Sequence, residues 1–204
     1  HLNMNDFILW CYHPYASPLR FSKGMALSVY HCVDDLAQVP DIDGLSYENA
    51  ETFFLNWVDY VFVTHESLKT KFLDMRQDVS FYPNVVDKAH FRKEIGSELP
   101  DDLPSSGKKI IGFHGVLSDF KVDFQLLHDL ACQNPQWEFV LIGDQREGQK
   151  NKVLAGLKTL DNVHLIGFRN YSLLPRYLAH FDAAIMPLQK NGYTSAMFPM
   201  KYFE

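Results

Sequence analysis

Short runs of apolar residues alternate with longer amphipathic stretches along most of the chain. Four such runs in the first half predict buried strands, at residues 6–11, 26–33, 60–63 and 79–82. Apolar residues at helical spacing over residues 46–58 predict a helix with Ser46 as its N-cap. Thr64 directly follows the third run and is placed to cap a second helix.

The same rhythm returns in the second half of the chain, after a polar stretch. Residues 94–108 are rich in Pro, Ser and Gly and have no periodicity, which is typical of a linker. Beyond them, strands are predicted at residues 109–113, 137–142, 163–166 and 183–186. Helices are predicted at 123–132 and 172–181, the second with Ser172 as its cap. Strands that alternate with helices predict the α/β class, with parallel sheets and helices on both faces.

The ends of the predicted strands are the first place to look for a ligand site. In parallel sheets of this kind, ligands bind outside the carboxyl ends of the strands. Those ends carry His114-Gly115, Gly143-Asp144, Gly167-Phe168 and Pro187. Three of the four contain a glycine, so a ligand could approach the backbone closely there.

Composition and charge narrow the function classes. The 204 residues are 47% hydrophobic and 22% charged, the balance of a folded globular protein. The formal net charge of -6 argues against a general nucleic-acid binder, which needs a basic face. Cys11, Cys32 and Cys132 form no CxxC motif, so a reducing cytosol is expected rather than a disulfide framework or a zinc site.

Two segments carry groups that suit a phosphorylated ligand. Gly115 is followed by Lys121 just ahead of a predicted helix, so backbone amides and a cation could meet phosphate. An ordinary loop with a solvated lysine would have the same pattern, and the segment is not a Walker loop. Lys201 and Glu204 share one helical face, where the lysine could neutralise a diphosphate and the carboxylate could accept hydrogen bonds from ribose. A surface ion pair is the alternative for this second segment.

Aromatic and histidine side chains supply the remaining candidates. Phe168 beside Gly167 could lie along a nucleobase, or could be a core residue after a turn glycine. His13 and His31 lie at the ends of the first two predicted strands, where a side chain could project into a cleft. No HxxxH or HExxH spacing occurs, so no metal site is predicted.

Taken in order, these segments resemble the GT-B glycosyltransferases of family 4 and their close bacterial relatives. The segments are VYHCVDD (29–35), VDYVFVTHESLKTKF (58–72), FYPNVVDKAHF (81–91), IIGFHGVLSDFK (110–121), WEFVLIGD (137–144), VHLIGF (163–168), LLPRYLAHFDAAIMPL (173–188) and FPMKYFE (198–204). The resemblance covers nearly the whole chain, and it implies two Rossmann-like domains with the nucleotide-sugar donor in the second. Residues 1–93 would be the C-terminal part of the acceptor domain, 94–108 the linker, and 109–204 the N-terminal part of the donor domain. Both domains would therefore be incomplete in this chain.

The resemblance also assigns roles on the donor side. It implies donor binding by Gly115, Lys121, Gly143, Gly167, Phe168, Lys201 and Glu204. Lys121 matches the family's phosphate-binding lysine, whereas the arginine usual just after the glycine is Val116 here. Glu204 matches the second of two glutamates with seven residues between them, and the first would fall at Ala196.

On the acceptor side, the resemblance places His13 nearest the family's catalytic-site histidine, with His31 second. The implied reaction moves a glycosyl group from a UDP- or GDP-sugar to a hydroxyl acceptor, with retained configuration and with neither metal nor cofactor. A saccharide or lipid-linked acceptor is implied, in bacterial surface polysaccharide biosynthesis. The expected location is the cytoplasm, including peripheral association with the inner face of the membrane, and no nucleic-acid partner is expected. Two alternatives stay open: a sugar-nucleotide epimerase of the same fold, and a non-catalytic module that binds nucleotide-sugar.

Overall fold

The computed structural model describes residues 6–92, 98–145 and 151–204. The chain divides into two compact units, His1–Asn84 with Lys190–Pro199, and Val85–Gln189 with Met200–Glu204. The units differ from the predicted domains in two places, because residues 85–92 belong to the second unit and 190–199 to the first. Residues 94–97 of the predicted linker lie outside the described residues, and residues 98–108 contain neither helix nor strand.

The first unit is built on a four-stranded parallel sheet. Its strands are β1 (Phe7–Cys11), β2 (Met25–Cys32), β3 (Tyr60–Val63) and β4 (Val79–Phe81), in the order β1-β2-β3-β4. The register places Cys11 opposite Tyr30, Tyr30 opposite Val61, and Val61 opposite Val79. All four of these side chains are buried, so one row across the sheet faces the core of the unit.

Helices connect these strands, with caps that differ from the predicted ones. Helix α1 spans Gly44–Leu55 and is capped by Asp43, whose side chain accepts a hydrogen bond from the amide of Ser46, so the prediction of Ser46 as cap is wrong. Helix α2 spans Glu66–Leu73 and is capped by His65 rather than Thr64. The Thr64 hydroxyl instead donates to the Val33 carbonyl at 2.6 Å and is buried.

The connections of the first sheet pack on one face. Each new strand is added on the same side of the previous one, and right-handed crossovers then place every connection on the same face. The core accordingly joins Phe54 of α1 and Phe72 of α2 to the inward row of strand residues. The other face carries aromatic rings, with the centroids of Trp10 and Phe62 5.6 Å apart.

The second unit has a parallel sheet with a different order. Its strands are β5 (Lys109–His114), β6 (Trp137–Ile142), β7 (Val163–Gly167) and β8 (Ala183–Ala184), arranged β7-β6-β5-β8. From β5 the strands are added on one side as β6 and β7, and β8 is then added on the other side of β5. The carboxyl end of β5 is therefore the topological switch point of this sheet. Here helices cover both faces, as predicted, because two separate apolar clusters flank the sheet.

The helices of the second unit agree only in part with the predicted ones. Helix α3 spans Phe124–Gln133 after its cap Asp123. Helix α4 (Lys152–Leu157) was not predicted, since Leu154 and Leu157 are its buried residues and give too little periodicity to detect. The predicted helix from Ser172 is a 3₁₀ turn followed by α5 (Leu174–Leu178), and Ser172 is not its cap. A last short helix, α6 (Gly192–Ser195), belongs to the first unit.

Candidate functional site

Three glycines form the floor of the site at the carboxyl ends of β5, β6 and β7. Gly115, Gly143 and Gly167 have φ values of 140°, 147° and 75°, which L side chains rarely adopt. The Gly115 amide donates to the Ile142 carbonyl at 2.8 Å, and the Gly143 amide donates to Gly167 at 3.0 Å. A Cβ atom added to Gly143 would overlap the carbonyl oxygen of Gly115. The sequence requires glycine here because the backbone turns are packed directly against one another.

Lys201 reaches this floor from the 3₁₀ turn Met200–Tyr202. A Cβ atom at Gly115 would lie 3.0 Å from Nζ of Lys201 and would overlap Cε. Burial lowers the pKa of Lys201, Glu204 opposes that shift, and the nearby Lys121 lowers the pKa further. The structure therefore brings together Gly115, Lys121 and Lys201, which the sequence analysis assigned to one site.

Lys121 is held by the backbone on both sides. Its amide donates to the Ser118 carbonyl at 3.1 Å, and its carbonyl accepts from the Gln189 amide at 2.9 Å. Val122 and Leu188 form an isolated antiparallel bridge beside it. These contacts fix the loop between β5 and α3, so Lys121 stands at a defined place near Lys201. Two ammonium groups in proximity repel each other and favour an anion between them.

Glu204 lies buried beside the last residue of β5. Its side chain is 8% exposed, and its Oε2 lies 3.3 Å from Nε2 of His114, whose side chain is 9% exposed. Burial raises the pKa of Glu204, while Lys201 and His90 lower it. Burial and the charge of Lys201 lower the pKa of His114 to about 4, so the imidazole is neutral at neutral pH. His114 was not among the predicted site residues, although its place just before a strand-end glycine was a usable signal.

Residues 85–92 bring a further group to the second unit. The His90 ring stacks on Tyr171, with centroids 4.3 Å apart and an interplanar angle of 14°. Nε2 of His90 lies 2.9 Å from the Tyr171 carbonyl. His90 also acts electrostatically on Glu204, so it contributes to the charge balance around the buried carboxylate. His90 was not predicted as a site residue, because residues 1–93 were expected to belong to the acceptor domain.

A small cavity opens beside the glycine floor. It has a volume of about 140 Å³ and is lined by the strand-end turns of β5, β6 and β7 together with Leu174. Phe168 stands at its edge and is 49% exposed, so the reading of Phe168 as a core residue is wrong. Its amide donates to Asp144 Oδ1 at 3.1 Å. Val116 also lines the cavity, so an apolar side chain occupies the position of the family's usual arginine.

Ala196, at the position of the family's first glutamate, belongs to the first unit. It is 5% exposed and packs in the hydrophobic core of that unit. A carboxylate there would be buried among apolar side chains at a large cost in free energy. The chain thus keeps the second glutamate of the motif, and it has a packing reason to lack the first.

His13 and His31 lie in two different ring clusters of the first unit. His13 stacks on Tyr15 at 5.2 Å and contacts Tyr47 edge-on at 5.4 Å. His31 lies between Trp10 and Tyr12, with centroid distances of 5.9 and 5.2 Å. Neither ring nitrogen of His31 has a hydrogen-bond partner among the described residues, and burial lowers its pKa.

A buried polar network lies on the core side of β2. The Tyr30 hydroxyl donates to Glu51 Oε1 at 2.6 Å, in the interior of the unit. Lys71 lies 3.1 Å from Glu51 and 2.8 Å from Asp35. Burial raises the pKa of Glu51, while Tyr30 and Lys71 lower it. No local pattern in the sequence indicates this network, since its members come from β2, a loop, α1 and α2.

Nowhere in residues 6–92, 98–145 and 151–204 do three or more His, Cys, Asp or Glu side chains cluster so that they could hold a metal ion. No helix in the described part of the chain has the length and apolar character needed to cross a bilayer.

The chain is similar to known glycosyltransferases in sequence. Residues 97–204, more than half of the chain, match the protein family described as Glycosyl transferases group 1. The chain is 29% identical over 143 residues to a putative teichuronic acid biosynthesis glycosyltransferase, TuaH of Bacillus subtilis, covering 69% of this chain and 35% of that protein.

Solved structures show the same fold. HepE of Anabaena, crystallised in complex with UDP-glucose, superimposes with a TM-score of 0.67 at 19% identity, over 87% of this chain and 52% of that one. TarM superimposes with a TM-score of 0.62 at 18% identity, over 91% and 37% of the two chains. The chain thus spans about half the length, or less, of the proteins it matches. The predicted α/β class and GT-B architecture are confirmed, and the chain belongs to the group 1 glycosyl transferases.

Proposed function

We propose that this protein transfers a glycosyl group from a nucleoside diphosphate sugar to a hydroxyl acceptor in the synthesis of a bacterial surface polysaccharide. Membership of the glycosyl transferase family supports the reaction type. The name of the Bacillus subtilis relative, a putative teichuronic acid biosynthesis glycosyltransferase, supports the polysaccharide setting.

One observation carries the proposal within the chain itself. Lys201 lies against Gly115 at the switch point of the second sheet, Lys121 acts electrostatically on Lys201, and a buried carboxylate lies three residues beyond Lys201. Two cations beside the glycine turns suit a diphosphate, because ammonium groups form charge-assisted hydrogen bonds with phosphate oxygens. The Glu204 carboxylate offers acceptors for ribose hydroxyls, and the cavity edged by Phe168 suits the flat face of a base.

The chemical step requires that charge on the departing diphosphate be stabilised as the glycosidic bond breaks. Lys121 and Lys201 supply positive charge where that negative charge grows, which lowers the barrier directly. In this proposal the lysines do the work that a divalent cation does in other transferases, so activity persists in EDTA, with no metal and no cofactor. We assign retention of configuration to the reaction and a sugar-orienting hydrogen bond to His13, both on the family resemblance.

The acceptor and the location are part of the proposal. A saccharide or lipid-linked hydroxyl acceptor fits a polysaccharide pathway, and the enzyme would act in the cytoplasm or on the inner face of the membrane. UDP-sugars are the first donors to test, since HepE was crystallised with UDP-glucose.

Titration calorimetry of the intact protein with UDP, GDP and their sugars tests the donor assignment. We expect micromolar to millimolar binding of one nucleotide series, and at least tenfold weaker binding in Lys121→Ala. Product analysis with labelled donor then separates transfer from epimerisation, because an epimerase yields an isomerised sugar and no acceptor product. Absence of binding to any nucleoside diphosphate would overturn the proposal.

A further inference from the structure

Two consecutive residues at the end of β5 each contact one functional side chain of residues 200–204. Gly115 lies against Lys201, and His114, one residue earlier, faces Glu204 at 3.3 Å. Resting on the proposed function, we propose that His114 is a positioning residue: it holds the Glu204 carboxylate in the orientation that receives the vicinal hydroxyls of the donor ribose.

A buried glutamate in this place needs such a partner. The amide of Glu204 donates to the Met200 carbonyl at 3.4 Å, which holds its backbone but leaves the side chain to be oriented by its neighbours. Its side chain has three rotatable bonds, and a carboxylate that moves among rotamers cannot keep hydrogen bonds to a ligand aligned. Lys201 and His90 act on it through their charge. His114 contributes the 3.3 Å contact between polar atoms.

The strand gives His114 the rigidity that this role requires. His114 is the last residue of β5, and it pairs with Ile142 of β6 in the sheet. Its side chain is nearly enclosed, so its ring has little freedom to turn. A group presented from a strand is held more accurately than one presented from a loop. Glu204 is therefore oriented from the most rigid element near the site.

The protonation state of His114 suits positioning rather than ion pairing. Burial and Lys201 lower its pKa to about 4, so it is neutral under ordinary conditions. A neutral imidazole with its proton on Nε2 offers a single N–H on the nitrogen that lies 3.3 Å from Oε2 of Glu204. The carboxylate keeps its charge, and Oε1 with the remaining lone pairs stays available to two hydroxyls.

Two variants of His114 separate positioning from packing. The amide nitrogen of glutamine lies where Nε2 of histidine lies, whereas that of asparagine lies nearer Nδ1. His114→Gln should therefore keep the donor to Glu204, and His114→Asn should lose it. Both substitutions are polar and smaller than histidine, so their general effects on packing are matched.

The measurement is the ratio of affinities for UDP and 2′-deoxy-UDP in the intact protein, by calorimetry. We expect the wild type to bind UDP at least tenfold more tightly, since a lost hydroxyl leaves the buried carboxylate unpaired. His114→Asn should bring the ratio to within about threefold of unity by weakening UDP binding alone. His114→Gln should retain most of the wild-type ratio. Lys121→Ala, the control, should weaken binding of both nucleotides equally, because it acts on the diphosphate.

Several outcomes would overturn the inference. A wild-type ratio in His114→Asn would remove the positioning role, and so would equal weakening of both nucleotides in His114→Asn. If His114→Asn fails to fold, Glu204→Gln decides, because retention of the UDP preference in that variant contradicts the ribose contact. In each of these cases UDP binding by the wild type leaves the proposed function standing. GDP and 2′-deoxy-GDP replace the uridine pair if UDP does not bind, and failure of both pairs to bind removes the proposed function itself.

Discussion

The α-carbon of Gly143 lies so close to the carbonyl oxygen of Gly115 that a side chain of any size at position 143 would overlap that oxygen. Two neighbouring strands thus end in turns that pack backbone against backbone. The glycines are needed both for their positive φ values and for the closeness of these turns.

Gly143→Ala should accordingly destabilise the protein strongly. Strained backbone and a direct clash together should cost about 3 kcal/mol or more of the free energy of unfolding. Thermal and chemical denaturation measure this directly. The matched control is Gly156→Ala in α4, where nothing lies within 4 Å of an added Cβ and helix propensity predicts a gain of about 0.5–1 kcal/mol. Similar effects of the two substitutions would contradict the packed-turn explanation.

Lys121→Ala should reduce turnover of the intact enzyme by about 10²-fold, because it removes charge aimed at the departing diphosphate. Steady-state kinetics with saturating acceptor measure the loss. Lys109→Ala is the control, since Lys109 lies at the opposite end of β5 with a side chain 71% exposed and paired with Asp182. That surface pair contributes at most about 1 kcal/mol to stability, and its loss should leave kcat unchanged. Equal kinetics for the two variants would remove Lys121 from the site.

The lowered pKa of His114 predicts a loss of stability in mild acid. Between pH 6.5 and about 4 the unfolded chain binds a proton on this imidazole that the folded chain does not, so the free energy of unfolding falls as the pH drops. The full effect is about 3 kcal/mol. The raised pKa of Glu204 acts in the opposite direction, and burial of His31 acts in the same direction. The difference in stability between wild type and His114→Gln isolates the histidine, and it should shift in favour of the variant as the pH falls. A difference that is constant with pH would contradict the buried neutral state.

The sequence predicted the two sheets and most of the donor-side residues, because strand ends are marked by local signals. A glycine after an apolar run indicated Gly115, Gly143 and Gly167, and each lies where it was expected. Helix caps were predicted less well: Asp43 and His65 cap α1 and α2 in place of Ser46 and Thr64, and spacing alone does not decide between neighbouring candidates.

Contacts that form only through tertiary packing could not be predicted from the sequence. His114 and Glu204 are separated by most of the second unit, and no periodic pattern relates them. The Glu51 and Lys71 pair is similar, since one residue lies in α1 and the other in α2. A polar residue within an apolar run indicates a buried polar group, but it does not indicate which residue is its partner.

Lys71→Met should destabilise the first unit by about 3–5 kcal/mol, because it leaves the buried Glu51 and the adjacent Asp35 without their cation. Chemical denaturation measures the change. The control is Lys69→Met on the same helix, since no ion pair of Lys69 is recorded among the described residues. That variant should alter stability by less than about 0.5 kcal/mol. Equal effects would show that Glu51 does not depend on Lys71.

In the first sheet each strand is added on the same side of the previous one, and this order affects the solubility of the polypeptide. With every connection gathered on one side, the rings of Trp10, Tyr12, Tyr60 and Tyr82 are left about half exposed on or beside the other. A contiguous, exposed aromatic surface of that kind is poorly hydrated and binds apolar molecules. The 204-residue polypeptide should therefore brighten a hydrophobic fluorescent dye while fully folded, and it should form concentration-dependent aggregates that mild detergent disperses. Trp10→Lys should reduce both the dye binding and the aggregation. If light scattering is unchanged by this substitution, aggregation occurs through another surface.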